Sequence, residues 1–189
     1  VYNTVLQASK AIKNNTELSS GTISVSFATI QYILSKVTAP ATKNILVIGT
    51  GKIGVNTCKN IVDYIHPRDL VIMNRTDARA VELAASIHAH YALYEDLQQE
   101  INKADIVIVA TMSKDFIINP IDIAENKERI FIDLSIPNNI NPAVSQMHQQ
   151  VVVNVDDLSK INDITLEIRR SQVPLALAII EDHINDFNE

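Results

Sequence analysis

Glycine is scarce in this chain, at 4 of 189 residues; tryptophan is absent, aromatic residues make up 5%, and there is one cysteine. A single thiol cannot close an intramolecular disulfide, so packing must hold the fold, and the usage suits a cytoplasmic location. No apolar run approaches the roughly 20 residues of a membrane span, and no signal-peptide pattern opens the chain. Positive charge is in deficit: 16 Lys and Arg against 22 Asp and Glu give a net charge of -6. That balance argues against a broad electrostatic nucleic-acid footprint, though it leaves room for a local basic patch or for contact through another domain. Repeats and low-complexity tracts are also missing. What is present is a globular composition, 47% hydrophobic, of a length that suits one α/β domain with flanking helices. The chain begins at Val1 and stops at Glu189 inside a helical pattern, so a piece of a longer protein is expected.

Three of the four glycines fall together, at Gly49, Gly51 and Gly54, directly behind the apolar run 44–48. The stretch I-L-V-I-G-T-G-K-I-G-V reads as a buried strand, a tight turn and the opening of a helix. That context distinguishes a dinucleotide-binding fingerprint from a lone glycine pattern. The first glycine makes the turn, the second lets backbone approach a pyrophosphate, and the third lets helix and strand pack closely. The amides and positive dipole end of the helix starting near Lys52 then favour phosphate.

Around this turn the chain alternates between short apolar strands and helices. Helices are expected over 1–12 and 22–37, with a polar loop over 13–21 between them. Strands follow at 44–48, 70–73, 90–92, 105–110, 129–134 and 151–153. Between them come helices reaching Ile65, over 77–88 with Thr76 as cap, and over 95–102. A long helix over 156–187 is interrupted by Pro174, which should kink it or begin a new segment. The fold class expected is a Rossmann-type doubly wound parallel sheet, strand order 3-2-1-4-5-6, with flanking N-terminal helices and a long C-terminal helix. The expected organisation is a helical lead-in over 1–40, a dinucleotide-binding domain over 41–155 and a linker helix over 156–189.

The end of the second strand discriminates between dinucleotides. A carboxylate there would bond the ribose 2′-hydroxyl and repel a 2′-phosphate. This chain has Asn74-Arg75-Thr76 instead, and Arg75 is a planar cation suited to phosphate. The cofactor expected is NADPH. The candidate binding residues are Gly49, Thr50, Gly51, Lys52, Ile53 and Gly54 in the turn; Asn74, Arg75 and Thr76; and Ala110, Thr111 and Met112 after the fourth strand. Thr111 either contacts the nicotinamide half or caps a local turn. Asp77 reads as a helix-dipole partner and Asp133 as a stabiliser of the loop behind its strand. Cys58 reads as a buried, inert thiol. His88 and His90 read as surface residues, and no metal ligand set stands out. No nucleophile or general base is recognisable, so no catalytic residue is assigned.

These segments, in order, resemble the NADPH-binding half of the glutamyl-tRNA reductase family. The matching stretches are 16–28 (T-E-L through S-V-S-F-A), the glycine turn at 46–54, Asn74-Arg75-Thr76, 104–108, 132–137 (I-D-L-S-I-P), Asn141-Pro142 and Val155-Asp156-Asp157-Leu158. The chain departs from the family after its proline, where Asn138-Asn139 replaces the usual Arg-Asp. The resemblance implies reduction of glutamyl-tRNA to glutamate-1-semialdehyde in tetrapyrrole synthesis. It also implies that a preceding domain holds the catalytic cysteine and the tRNA contacts, and that this piece alone is inactive. Further implications are a homodimer through helices that follow and a glutamate-1-semialdehyde aminomutase partner. Two other readings stay open: a shikimate-dehydrogenase-like NADP oxidoreductase domain and a non-catalytic NADP-sensing module.

Overall fold

The computed structural model describes residues 2–15 and 24–188, with side chains described over 5–11, 24–160 and 173–184. Contacts divide the chain into one unit over Ser24–Ser159 and a second made of Val1–Ile23 with Lys160–Glu189. Helix α2 therefore belongs with the sheet, whereas the sequence reading grouped residues 1–40 as a lead-in.

Six parallel strands form the sheet: β1 (Asn44–Ile48), β2 (Asp69–Met73), β3 (His90–Tyr91), β4 (Ile106–Val109), β5 (Arg129–Asp133) and β6 (Gln150–Asn154). Their order is β3-β2-β1-β4-β5-β6, as expected. β1 is central, with Ile45 opposite Leu70 on one side and Ile106 on the other. Because side chains alternate across a strand, Leu46, Ile48, Val107, Val109 and Phe131 share one face. There they join Ile101 of α5 (Leu97–Lys103) in one core cluster. Ile45, Val47, Ile108 and Ile132 point to the opposite face and are buried too. Burial on both faces is why these strands read as continuous apolar runs.

Helices α3 (Lys52–Tyr64) and α4 (Asp77–Ile87) cross between the first three strands. α3 buries Gly54, Thr57, Cys58 and Ile61 at the four-residue spacing of one helical stripe. Burying Ile61 alone contributes roughly 1.5–3 kcal/mol. α2 (Val25–Lys36) packs on α3. Phe27 meets Tyr64 edge-on at 5.4 Å, and the Ser26 hydroxyl donates to the Ile53 carbonyl at 3.2 Å. At the far end of the sheet, the Asp105 carboxylate accepts from the Asn44 N–H and the Lys127 ammonium, each at 2.9 Å.

Several boundaries differ from the sequence reading. α2 starts at Val25, because Ser24 caps it by accepting from the Phe27 N–H at 3.3 Å. Residues 16–23, where most of the polar loop was expected, lie outside the described residues, while α1 (Tyr2–Asn15) runs three residues past its expected end at 12. β3 has only two residues, both exposed. The helix expected from 95 begins as a 3₁₀ turn over Tyr94–Asp96 and becomes α5 at Leu97. α6 (Val155–Asn188) passes through Pro174 as one helix instead of starting afresh there. A proline removes one backbone hydrogen bond, and the turns on either side keep theirs. Thr76 stands at the N-cap of α4, yet its hydroxyl makes no cap bond. Its carbonyl instead accepts from the Arg79 N–H and from the Asn74 amide.

Candidate nucleotide-binding cleft

The glycine turn sits where β1 gives way to α3. Gly49 has φ +110°, a conformation L side chains rarely adopt. A Cβ there would also collide with the Ala110 carbonyl. Gly51 caps α3 with ordinary extended torsions, and a Cβ on it would meet nothing within 4 Å. Gly54 lies beneath the turn, where a Cβ would overlap the Gly49 carbonyl. The three glycines thus serve three needs: backbone torsion, open space above the turn and close packing below it.

Open space at Gly51 is matched by free donors. Val55 makes the first backbone bond within α3, to the Gly51 carbonyl, so the preceding amides form the unpaired first turn. The Thr50 hydroxyl oxygen is buried without a partner. The Thr50 N–H donates to Asn74 Oδ1 at 3.3 Å, while Asn74 Nδ2 donates to the Thr76 carbonyl at 3.0 Å. Asn74 therefore braces the loop after β2 against the glycine turn.

A cleft of about 320 Å³ opens here, at the carboxyl ends of the strands. Segments 49–51, 74–76 and 110–112 all line it, so nine of the twelve candidate residues come together. Lys52, Ile53 and Gly54 do not line it; Lys52 and Ile53 are exposed on the first turn of α3, and Gly54 is buried. The cleft also takes in Arg79, Tyr94, Ser113 and Ile117, which sequence reasoning missed. Arg79 stands in the first turn of α4, four residues past Arg75 in the preceding loop, and a second arginine so soon after the first was an available signal. Tyr94 has no such signal, because it arrives from beyond β3. Its N–H donates to the Asp77 carboxylate at 3.3 Å, which adds a bracing role to that residue's place in the first turn of α4.

The lining contains two arginines and no carboxylate. Both arginines are exposed, and neither guanidinium has a protein partner among the described residues. Two unpaired cations beside a helix N-terminus make an anion-accepting surface at one end of the cleft.

At the other end, Asp133 is 1% exposed. Its carboxylate accepts the N–H groups of Ser135, Asn139 and Ile140 at 3.0, 2.7 and 2.9 Å. It stabilises the loop behind β5, as expected, and stands back from the cleft. Cys58 is fully buried, and burial pushes its thiol up to about 12. His88 and His90 are exposed, with His90 bonded to Asp69 at 2.8 Å.

The chain matches the family model of shikimate / quinate 5-dehydrogenases over residues 32–161. Along its whole length it is 44% identical to glutamyl-tRNA reductase of Flavobacterium psychrophilum and 42% identical to that of Christiangramia forsetii. It spans 46% and 45% of those two relatives, respectively. Among solved structures, glutamyl-tRNA reductase from Methanopyrus kandleri superposes with a TM-score of 0.84 at 25% identity, over 98% of this chain and 48% of that one. The nucleotide binding domain of the Thermoplasma volcanium glutamyl-tRNA reductase shares the fold, with a TM-score of 0.60 at 21% identity over 79% of this chain. The shikimate / quinate model covers the sheet and its crossovers, whereas the likeness to glutamyl-tRNA reductases continues through both ends. This chain belongs to the shikimate / quinate 5-dehydrogenase family, carries a Rossmann-type nucleotide-binding domain, and along its whole length is similar to about half the length of the glutamyl-tRNA reductases it matches.

Proposed function

We propose that the cleft binds NADPH, with the adenosine half toward β2 and the nicotinamide half toward β4 and β5. The observation that carries this is the pair of unpartnered arginines, Arg75 and Arg79, in a lining without a carboxylate. A 2′-phosphate would gain charged hydrogen bonds there, and a bare 2′-hydroxyl would find no carboxylate acceptor. The pyrophosphate fits over Gly51, where the backbone is uncovered and the first amides of α3 are free. The bound cofactor supplies the hydride; this chain's residues bind and orient it. Titration of the 189-residue chain with NADPH and NADH tests the reading. NADPH should bind at least about ten-fold tighter, and equal affinities or tighter NADH binding would refute it.

The whole protein, on this reading, reduces glutamyl-tRNA to glutamate-1-semialdehyde in the cytoplasm. The nucleophile and the tRNA contacts belong to a domain outside this chain, which alone should produce no semialdehyde. Apolar side chains exposed along α6, among them Val173, Leu175, Leu177 and Ile184, support the expectation of a homodimer.

A further inference from the structure

We propose that Asn139, which does not line the cleft, is the positioning residue for its nicotinamide-side wall; the inference rests on the dinucleotide reading above. That wall is the loop after β4, which contributes Ala110, Thr111, Met112 and Ser113. The loop has no regular secondary structure of its own. Something else must hold it, and the loop after β5 does so.

Asn139 is completely buried. Its Nδ2 donates to the carbonyls of Ser113, Asp115 and Pro137 at 2.9, 3.3 and 3.3 Å. Its Oδ1 accepts the Thr111 hydroxyl, and its backbone carbonyl accepts the Ile117 N–H at 2.8 Å. Ser135, 1% exposed, adds a second fastening, because its hydroxyl oxygen accepts the Thr111 N–H at 3.1 Å. The N–H and the hydroxyl of Thr111 are therefore held from behind by residues of the β5 loop. That loop is in turn held by the three N–H bonds to Asp133. The order of support runs from the Asp133 carboxylate to Asn139 and Ser135, and from them to Thr111 and Ser113 at the cleft. Buried polar groups connected in this way have one arrangement that satisfies them all.

The two walls of the cleft are braced separately. Asn74 braces the β2 side, where Arg75 and Arg79 line the cleft. No hydrogen bond described here joins Asn139 or Ser135 to that side. Loosening the β4 loop should therefore weaken a ligand that spans both walls and spare one that occupies only the β2 wall. NADPH is the spanning probe, and 2′,5′-ADP carries only the adenosine, one 5′-phosphate and the 2′-phosphate.

The experiment is calorimetric titration of the chain and its N139A and S135A variants with both probes, together with amide hydrogen exchange. For N139A, NADPH affinity should fall about ten-fold or more, while 2′,5′-ADP affinity should stay within about two-fold. Amides of residues 111–115 should exchange faster, with the strands unchanged. S135A should show the same pattern at smaller amplitude, and it alone carries the test if N139A does not fold. Equal loss of both probes, or no loss of either, would overturn the positioning role while leaving the dinucleotide reading intact. A wild-type chain that binds neither probe would overturn the reading itself, and the inference with it.

Discussion

The carbonyl oxygen of Gly49 occupies the position a Cβ on Gly54 would need, so the turn and the first turn of α3 are packed backbone to backbone. Gly51, between them, faces open space. The same motif therefore has a glycine that packing requires and a glycine that packing does not, and their roles separate experimentally. Gly54→Ala should destabilise the domain by about 1–3 kcal/mol or more, through forced displacement of backbone. Gly51→Ala should leave the urea midpoint unchanged within error and weaken NADPH binding more than about ten-fold, since its methyl fills space kept for the pyrophosphate. Unaltered binding by Gly51→Ala would show the turn to be structural only.

The two arginines should contribute to NADPH and not to NADH. Arg75→Ala is expected to weaken NADPH by about 1–3 kcal/mol, the worth of a charged hydrogen bond. Arg79→Ala should act in the same direction. Both should leave NADH affinity almost unchanged, and parallel titrations of the two cofactors would read the difference directly.

Cys58 should be silent in the native state. Its thiol is buried and held neutral up to about pH 12, so at pH 8 its thiolate population is lower than that of a free cysteine by roughly three orders of magnitude. Labelling by a thiol reagent should proceed only through unfolding. The linkage has a definite sign. The folded pKa is raised, so the contribution to stability is complete below the unfolded value of about 8.5 and is lost as the pH rises toward the folded value. Cys58→Ala should remove that alkaline slope in denaturation midpoints.

Asp105 should give the opposite dependence. Burial pushes its carboxyl up, but the Asn44 N–H and the Lys127 ammonium outweigh that and hold it below the ordinary carboxylate range. A depressed folded pKa means stability that is present above the unfolded value of about 3.9 and lost as the pH falls through the folded one. Asp105→Asn should lower the denaturation midpoint at pH 7, and the gap to wild type should close under acid conditions.

The parts of the molecule legible in the sequence are those encoded by near neighbours. The strand order followed from six short strand segments alternating with helices, and the glycine turn from three residues within six positions. Asn74, Arg75 and Thr76 were legible as the continuation of β2. Arg79 was missed because the search stopped at the loop, although the helix carries its side chain back to the same end of the cleft. Tyr94 and Asn139 had no local signature. The first is delivered by the crossover from β3, and the second by a hydrogen-bond network joining residues 24 to 28 positions apart. Thr76 was misread as a side-chain cap because its place before α4 is right, while the carbonyl, not the hydroxyl, does the bonding.

On the dinucleotide reading, the separate bracing of the two cleft walls makes nucleotide choice and nicotinamide placement independent heritable traits. Segment 69–79 can drift toward another nucleotide through Arg75 and Arg79 without loosening Thr111. Segment 110–140 can accommodate another substrate-side surface around Met112, Ile136 and Phe116, all exposed beside it, without altering which nucleotide is held. Recombination between the two segments, for instance at β3 (His90–Tyr91), would exchange one wall and keep the other, so chimeras between members of this domain family should inherit nucleotide preference and substrate-side geometry from different parents.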